Sequence, residues 1–188
     1  MAEVTGMTPD RISQEITTEI DKLKILRGVG SPEGRTSAPV GSIYTDSEAT
    51  NGALRWIKVY GSGNTGWRVE YGDTGLRDVT SLLVNGWTAE RVLVRRYGTT
   101  VILSSLGLSS ENSTAPLLIS LPTTFHNTAT YITMVTPYDS RVAYWNKSSG
   151  LTMVYHENLH VSNYAYANST WEIFPNTPWP SSLPGTPA

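Results

Sequence analysis

Ile12, Ile16, Ile20 and Leu23 recur at spacings of four, four and three, one narrow apolar stripe along a helix of 3.6 residues per turn. Thr8-Pro9-Asp10 supplies the start signal: a capping hydroxyl, a proline at the first helical position and an acid in the first turn. Gly28 and Gly30 are expected to end the helix, with Ile25 and Leu26 widening the stripe near its end. A helix of this length is marginal alone. A stripe dominated by Ile on a charged surface suits a parallel coiled coil, and Ile at both core positions favours three strands. The alternative is an amphipathic helix packed on its own domain. The run Gly28-Val-Gly-Ser-Pro32 reads as a connector rather than a tight turn, which favours the bundle.

After Ser31 the pattern shortens to period two. Gly41-Ser-Ile-Tyr-Thr45, Leu54-Arg-Trp-Ile-Lys-Val-Tyr60 and Gly66-Trp-Arg-Val-Glu-Tyr71 are β-prone runs, separated by Asn51-Gly52 and Gly61-Ser-Gly-Asn-Thr-Gly66, which tolerate positive φ in turns. In the middle run Leu54, Trp56 and Lys58 share one face and Arg55, Ile57 and Val59 the other. Ser31 to Asp73 is thus a β-meander too small for a secure core of its own, and neighbouring chains are expected to complete it.

From Leu76 onward further strands are predicted at Arg91–Arg95, Thr100–Ser104, Ala115–Ser120, Tyr131–Val135, Val142–Trp145, Leu151–Tyr155 and Asn168–Ile173. Their number and spacing point to a sandwich or jelly roll. The proline-rich tail from Pro175 to Ala188 cannot join a central strand and should wrap the surface or trail. The expected fold is mainly β in three parts: an N-terminal anchoring, trimeric helix (1–30), a β-meander neck (31–75), and a distal antiparallel, jelly-roll-like β-sandwich with its tail (76–188).

Composition narrows the chemistry. Net charge is −2 and charged residues make up 16% of the 188, so the polar surface is mostly Ser, Thr, Asn and Gly. Arg95-Arg96 is the one adjacent basic pair, whereas a nucleic-acid groove needs a continuous positive face; no nucleic-acid partner is expected. Cysteine is absent, which excludes disulfides and thiolate metal sites. No stretch approaches the ~18 apolar residues of a membrane span, and the N-terminus lacks the apolar region of a signal peptide. The expectation is a soluble chain, without membrane insertion, that leaves a cell by lysis inside an assembled particle.

The sharpest catalytic pattern is His156-Glu157-Asn158-Leu159-His160, the spacing at which two histidines share a helix face and bind zinc. Its flanks are β-branched, aromatic and turn-forming. On a strand the two imidazoles would stand ~13 Å apart, too far for one tetrahedral ion. No metal site within one chain is expected, although symmetry-related His156 or His160 on a trimer axis would offer a different arrangement. Glu90, Glu111, Asp139, Glu157 and Glu172 do not cluster as a glycosidase pair requires. No Gly-x-Ser-x-Gly elbow occurs. Gly61–Gly66 is followed by neither Gly-Lys-Ser/Thr nor a helix, so it reads as a hairpin loop and not a phosphate cradle. No enzymatic activity and no cofactor are expected.

Tyr138, Tyr144, Trp145, Tyr155, Tyr164, Tyr166 and Trp171 lie in one stretch with Asn146, Asn158, Asn163 and Asn168. Aromatic rings stack on apolar sugar faces while amides read hydroxyls, so Tyr144, Trp145, Asn163, Tyr164 and Tyr166 are the candidate glycan-binding residues. The competing role for any of them is core or interface packing, and adjacent Tyr144 and Trp145 must face opposite sides of a strand.

The run Gly30-Ser-Pro-Glu-Gly34, Ala38-Pro-Val-Gly-Ser-Ile-Tyr-Thr-Asp46, Asn51-Gly-Ala53, Trp56-Ile-Lys58, Gly61-Ser-Gly-Asn-Thr-Gly-Trp67 resembles a module of minor tail proteins and receptor-binding fibres of phages infecting actinobacteria. Gly72-Asp-Thr-Gly75, Arg77-Asp-Val79 and Asn85-Gly-Trp87 are similar to its continuation. The similarity covers about Gly28 to Trp87 and is looser beyond, through Leu121-Pro122 and Trp179-Pro-Ser-Ser-Leu-Pro-Gly185. The resemblance implies a homotrimeric bacteriophage virion protein with an N-terminal attachment part, a β-structured neck and a distal sandwich. Its expected partners are itself, through Ile12, Ile16, Ile20 and Leu23, other virion proteins through the helix, and a host cell-envelope saccharide. Many relatives carry the module inside a much longer fibre, so the resemblance does not choose between a tail fibre and a capsid (head) fibre or decoration protein.

Overall fold

The computed structural model describes residues 8–22, 25–84, 86–110, 117–126, 133–135, 142–148, 151–155 and 165–188, with backbone alone for 19–22, 109–110, 117–118, 133–135, 142–148, 151–155 and 165–167. The fold is mainly β, with two sheets and one short helix.

Helix α1 (Pro9–Lys22) starts as its sequence dictates: the Arg11 N–H donates to the Thr8 hydroxyl at 3.4 Å, and Arg11 and Glu15 form an exposed i,i+4 pair. Its end differs from the expectation. The helix spans Pro9–Lys22, and Leu26–Gly28 is strand β1, running parallel to β2 (Ile43–Asp46) with Leu26 opposite Tyr44. Leu26 packs against the neck cluster instead of extending the helical stripe, and Ile25 is exposed. Gly28 acts here as a strand residue under an aromatic ring and not as a helix stop, because a Cβ at that position would lie 2.4 Å from the Tyr44 hydroxyl.

The neck sheet has the order β1-β2-β3-β4, with β3 (Ala53–Lys58) and β4 (Trp67–Gly72) joined by the glycine-rich hairpin loop. The expected alternation along β3 holds in part. Trp56 and Lys58 share the buried face, but Leu54 is exposed and Ala53 is buried. The β3–β4 register slips between Ala53 and Arg55 and again between Arg55 and Trp56, which turns Leu54 outward as such irregularities do. The core of the neck draws on a distant part of the same chain. Ala38, Tyr44, Ala53, Trp56 and Trp67 are closed over by Trp179, which belongs to the chain's own tail.

The second sheet contains β5 (Arg77–Asp78), β6 (Leu83–Val84), β7 (Trp87–Thr88), β8 (Arg91–Tyr97), β9 (Thr100–Ser110), β10 (Leu117–Ile119), β11 (Thr133–Val135), β12 (Val142–Ser148), β13 (Leu151–Tyr155), β14 (Ala165–Glu172) and β15 (Thr186–Pro187). Its strand path is β15-β5-β8-β9-β14-β11-β12-β13-β10-β6, with β7 on β9. One short turn, Thr80–Leu82, joins β5 to β6, yet the two lie near opposite ends of that path. The sheet therefore curls back on itself. Val92, Val94, Val101, Leu103, Ile119, Phe125, Trp171 and Ile173 from distant parts of the path share one apolar cluster. Alternation puts Val101, Leu103, Ser105 and Gly107 inside, and Leu108 next to Gly107 is buried as well. Three steps on β9 (Ser105 to Leu108) oppose two on β14 (Ala167 to Ala165), and Gly107 at φ +66° accommodates the extra residue.

The two sheets are tied together at one corner. Asp73 bridges to Tyr97, the Thr74 N–H donates to the Arg96 carbonyl, and the Gly98 N–H donates to Gly72. The tail then crosses this corner. It wraps, as its prolines require, and ends as the edge strand β15 on β5. Arg96, on the inner face of β8 and only 3% exposed, donates to the carbonyls of Gly98 (3.0 Å), Thr124 (2.8 Å), Pro178 (2.8 Å) and Thr177 (3.3 Å). Its guanidinium lies 4.6 Å from the Trp179 ring. Burial lowers its pKa to about 10, so it stays charged at neutral pH.

Arg96→Ala is expected to leave several buried carbonyls without donors and cost about 3 kcal/mol or more. Trp179→Ala, opening a cavity in the neck, should cost a similar ~3–5 kcal/mol. Urea unfolding monitored by tryptophan fluorescence checks both, and losses under 1 kcal/mol would show that the tail is not integral to the fold.

Candidate functional site

The hairpin loop Gly61–Gly66 is organised around charge. Lys58, 1% exposed, points its ammonium into the loop, donating to the carbonyls of Gly63 (2.5 Å) and Thr65, with the Trp67 ring 5.6 Å away. The amides of Gly66 and Trp67 point the other way and donate to the Glu33 carboxylate at 3.2 and 2.8 Å. These are the donors a phosphate would need, and the chain's own carboxylate uses them. The loop is a structural hairpin, as its lack of a following helix suggests.

Between β4 and the tail lies a cleft of about 640 Å³ whose lining includes Trp56, Trp67, Arg68, Glu70, Asn176 and Trp179. Its tryptophans are almost wholly buried. Its polar side chains are largely engaged with one another: Arg68 donates to Asn176, Arg55 pairs with Glu70 at 2.6 Å, and Asn51 donates to the carbonyls of Pro180 and Ser181. The Trp179 indole N–H donates to the Asn51 carbonyl at 2.9 Å, while the buried Trp56 N–H has no acceptor among the described residues. With its rings covered and most of its polar groups paired, the cleft is a seam between neck and tail more than an open receptor pocket.

Exposed aromatic chemistry lies elsewhere. On β8 the residues opposite in phase to Val92, Val94 and Arg96 face outward, and Tyr97 is the last of them. Its ring meets Tyr71 of β4 edge-to-face, with centroids 5.9 Å apart and planes at 89°, and both rings are nearly half exposed. Beside them Asp73 and Arg95 form a bidentate pair through Oδ1–Nε (2.8 Å) and Oδ2–Nη2, and Asp73 also accepts from the Gly75 N–H. Asp73 holds the Arg95 pKa up, with smaller contributions from the phenols of Tyr71 and Tyr97. The row continues across the sheet, Tyr97 opposite Thr100 and Thr100 opposite Glu172, with the Thr100 hydroxyl donating to Glu172 at 2.6 Å.

The sequence-based glycan candidates are placed only in part. Tyr144 and Trp145 lie on β12 and Tyr166 on β14, with backbone alone described, while Asn163 and Tyr164 fall outside the described residues. Strand β11 separates β12 from β14. Tyr144 pairs with Thr133 and Asn168 with Val135. Extending that register puts Tyr166 four residues from the row of Tyr144, roughly 13 Å along the strands. Of the expected trimer contacts, Ile12 and Ile16 are 42% and 54% exposed; the Ile20 side chain and all of Leu23 lie outside the described residues. So do His156 and His160. Among the described residues no group of three His, Asp or Glu side chains could hold a metal ion, and no helix is long and apolar enough to cross a membrane. Tyr71 and Tyr97 were legible but not singled out: alternation in Arg91–Tyr97 puts Tyr97 opposite in phase to the core valines.

Four carboxylates are held below their ordinary pKa. Burial would raise that of Asp46, but N–H donors from Gly30, Glu48 and Thr50 and the Thr50 hydroxyl outweigh it. Arg95 lowers Asp73, Thr80 lowers Asp78, and Thr100 with Thr99 lowers Glu172. The unfolded chain therefore binds more protons in acid, so the stabilisation is complete above the unfolded carboxylate range and is lost as pH falls through the lower folded values. The urea midpoint should hold steady from about pH 7 to 5 and fall below about pH 4. Asp73→Asn should flatten part of that fall, and an acid profile identical to wild type would show that Asp73 contributes nothing to it.

No family model, curated protein or solved structure matches this chain.

Proposed function

We propose that this chain is a homotrimeric bacteriophage virion fibre or minor tail protein, anchored to the particle by its N-terminal helix and presenting its β body to the host surface. The observation that carries the reading is the uncovered stripe on α1. Every residue from 8 to 18 is exposed, so Ile12 and Ile16 find no cover among the described residues of their own chain. An Ile stripe on an otherwise polar helix is stable when copies bury it against one another, and Ile at successive core positions favours three. The mainly β body supports the reading further. A strand path that curls onto one core suits a sandwich of jelly-roll type, and such a body would offer a stiff platform for shallow contacts. Shallow contacts are weak singly, but linked copies raise avidity by roughly 10²–10⁴.

The purified chain is expected to be a trimer by light scattering at micromolar concentration. Ile12→Asp combined with Ile16→Asp, each forfeiting about 2 kcal/mol of apolar burial per chain, should give monomers whose β circular dichroism is unchanged. A wild-type monomer would overturn the trimer. Gold labelling of N- and C-terminal tags on intact particles should find the C-terminal tag distal and would distinguish tail from capsid; absence of the chain from particles would remove the virion assignment.

A further inference from the structure

The geometry points to a shallow binding site for neutral saccharides at the corner where the two sheets meet, with Tyr71 and Tyr97 as its aromatic surfaces and Asp73, Arg95, Thr100 and Glu172 as its polar frame. This deepens the attachment reading and rests on it for biological meaning.

Three observations carry the assignment. First, the rings are presented rather than merely uncovered. They sit perpendicular to each other at 5.9 Å, so one offers a face and the other a wall, and both are fixed on strands joined by the Asp73–Tyr97 bridge. Sugar C–H faces pack on such rings, and little side-chain freedom remains to be lost on binding. Second, the neighbouring polar atoms can both donate and accept. Arg95 and Asp73 hold each other in a fork that is 39% and 25% exposed, next to the Thr100–Glu172 pair, which suits hydroxyls that donate and accept in turn. Third, the frame disfavours anions. Arg95 is already bound to Asp73, and Glu172 is the next acid along the row, so an anionic ligand meets a carboxylate on each side of a guanidinium that is already occupied. A neutral polyol avoids that penalty and can use both the donors and the acceptors of the frame. These features separate the corner from the neck cleft, whose rings are covered.

The test uses the full-length protein on an array of neutral gluco-, galacto-, manno- and arabino-oligosaccharides of several units, with sulfated oligosaccharides as the anionic comparison. Binding to at least one neutral class is expected. Tyr71→Ala and Tyr97→Ala should each weaken it about tenfold, while Tyr71→Phe and Tyr97→Phe, which keep the rings, should retain most of it and report that the fold survives. Several outcomes would overturn the site: no binding to any neutral probe, binding to sulfated probes alone, or alanine variants that bind like wild type. Alanine variants that change the oligomeric state while leaving saccharide binding intact would reassign the corner as a contact between copies. Adsorption to host envelope material is measured in parallel. Wild-type adsorption that both alanine variants retain sinks this site and leaves the attachment reading standing; array binding lost in both variants, without host adsorption, keeps the site and sinks the attachment reading.

Discussion

The fold turns on a buried guanidinium. Arg96 is held inside with no carboxylate partner among the described residues, and burial of such a charge is costly unless its donors are all used. The acceptors come from three separate parts of the chain: Gly98 in the β8–β9 turn, Thr124 in the short turn beneath the core, and Thr177 and Pro178 in the tail. The Trp179 ring covers the remaining face. Because losing any of these acceptors would leave buried charge less compensated, the three parts are held together, and Trp179 joins the neck core with the tail. Proline content fits this arrangement. A segment with Pro175, Pro178, Pro180, Pro184 and Pro187 has few N–H groups to offer a ladder, so its carbonyls are met by side-chain donors from the body: Arg96, Asn51 and Arg77. Sheet-like attachment appears only at the end, where Pro187 takes an edge position.

Period-two alternation made most of this architecture legible. Among the strands predicted from sequence, those at Arg91–Arg95 and Thr100–Ser104 are longer in the structure but begin at the same residues, and Leu151–Tyr155 coincides. What alternation could not reveal were places where tertiary contact overrides local pattern. Leu26 reads as the end of a helical stripe but packs on the neck cluster, because a glycine two residues later lets Tyr44 close over the strand. Leu54 reads as sharing the face of Trp56 but is exposed, because two register slips follow Ala53. Lys58 on the same face as Trp56 was visible in the sequence; that its charge would be buried depended on where the loop carbonyls point. The greatest gap concerned Trp179. A tryptophan in a proline-rich tail shows no periodicity, and its role as the lid of a core more than a hundred residues away rests on Arg96 and Asn51, neither of which signals a tail-binding role in sequence.

Several charges in this protein are bound by its own backbone. Lys58 and Arg96 are bound by carbonyls, Glu33 by amides and Asp46 by the N–H groups of its turn. Each charge thereby orders an irregular segment that lacks ladder hydrogen bonds of its own. The same economy explains why sequence-level motif reading gave so little chemistry. The Gly61–Gly66 amides that would cradle an anion already hold one, and the polar groups around the tail cleft largely hold each other. Candidate reactive groups become structural once their partners are known, and what remains free to meet a ligand is a surface of rings and paired charges.

That division bears on how such a molecule would work at a surface. The neck core of the β body is closed by the chain's own Trp179. Helix α1 is the reverse, with a polar exterior, an uncovered Ile stripe and a connector to the body that joins the sheet at Leu26. Oligomerisation confined to the helix would leave each β body structurally independent, each carrying its own corner of aromatic and paired polar groups. A site of that kind gains little from being deeper. Its strength would come from how many copies the helix gathers and from how rigidly the Arg96 network holds the sheets that place Tyr71 beside Tyr97.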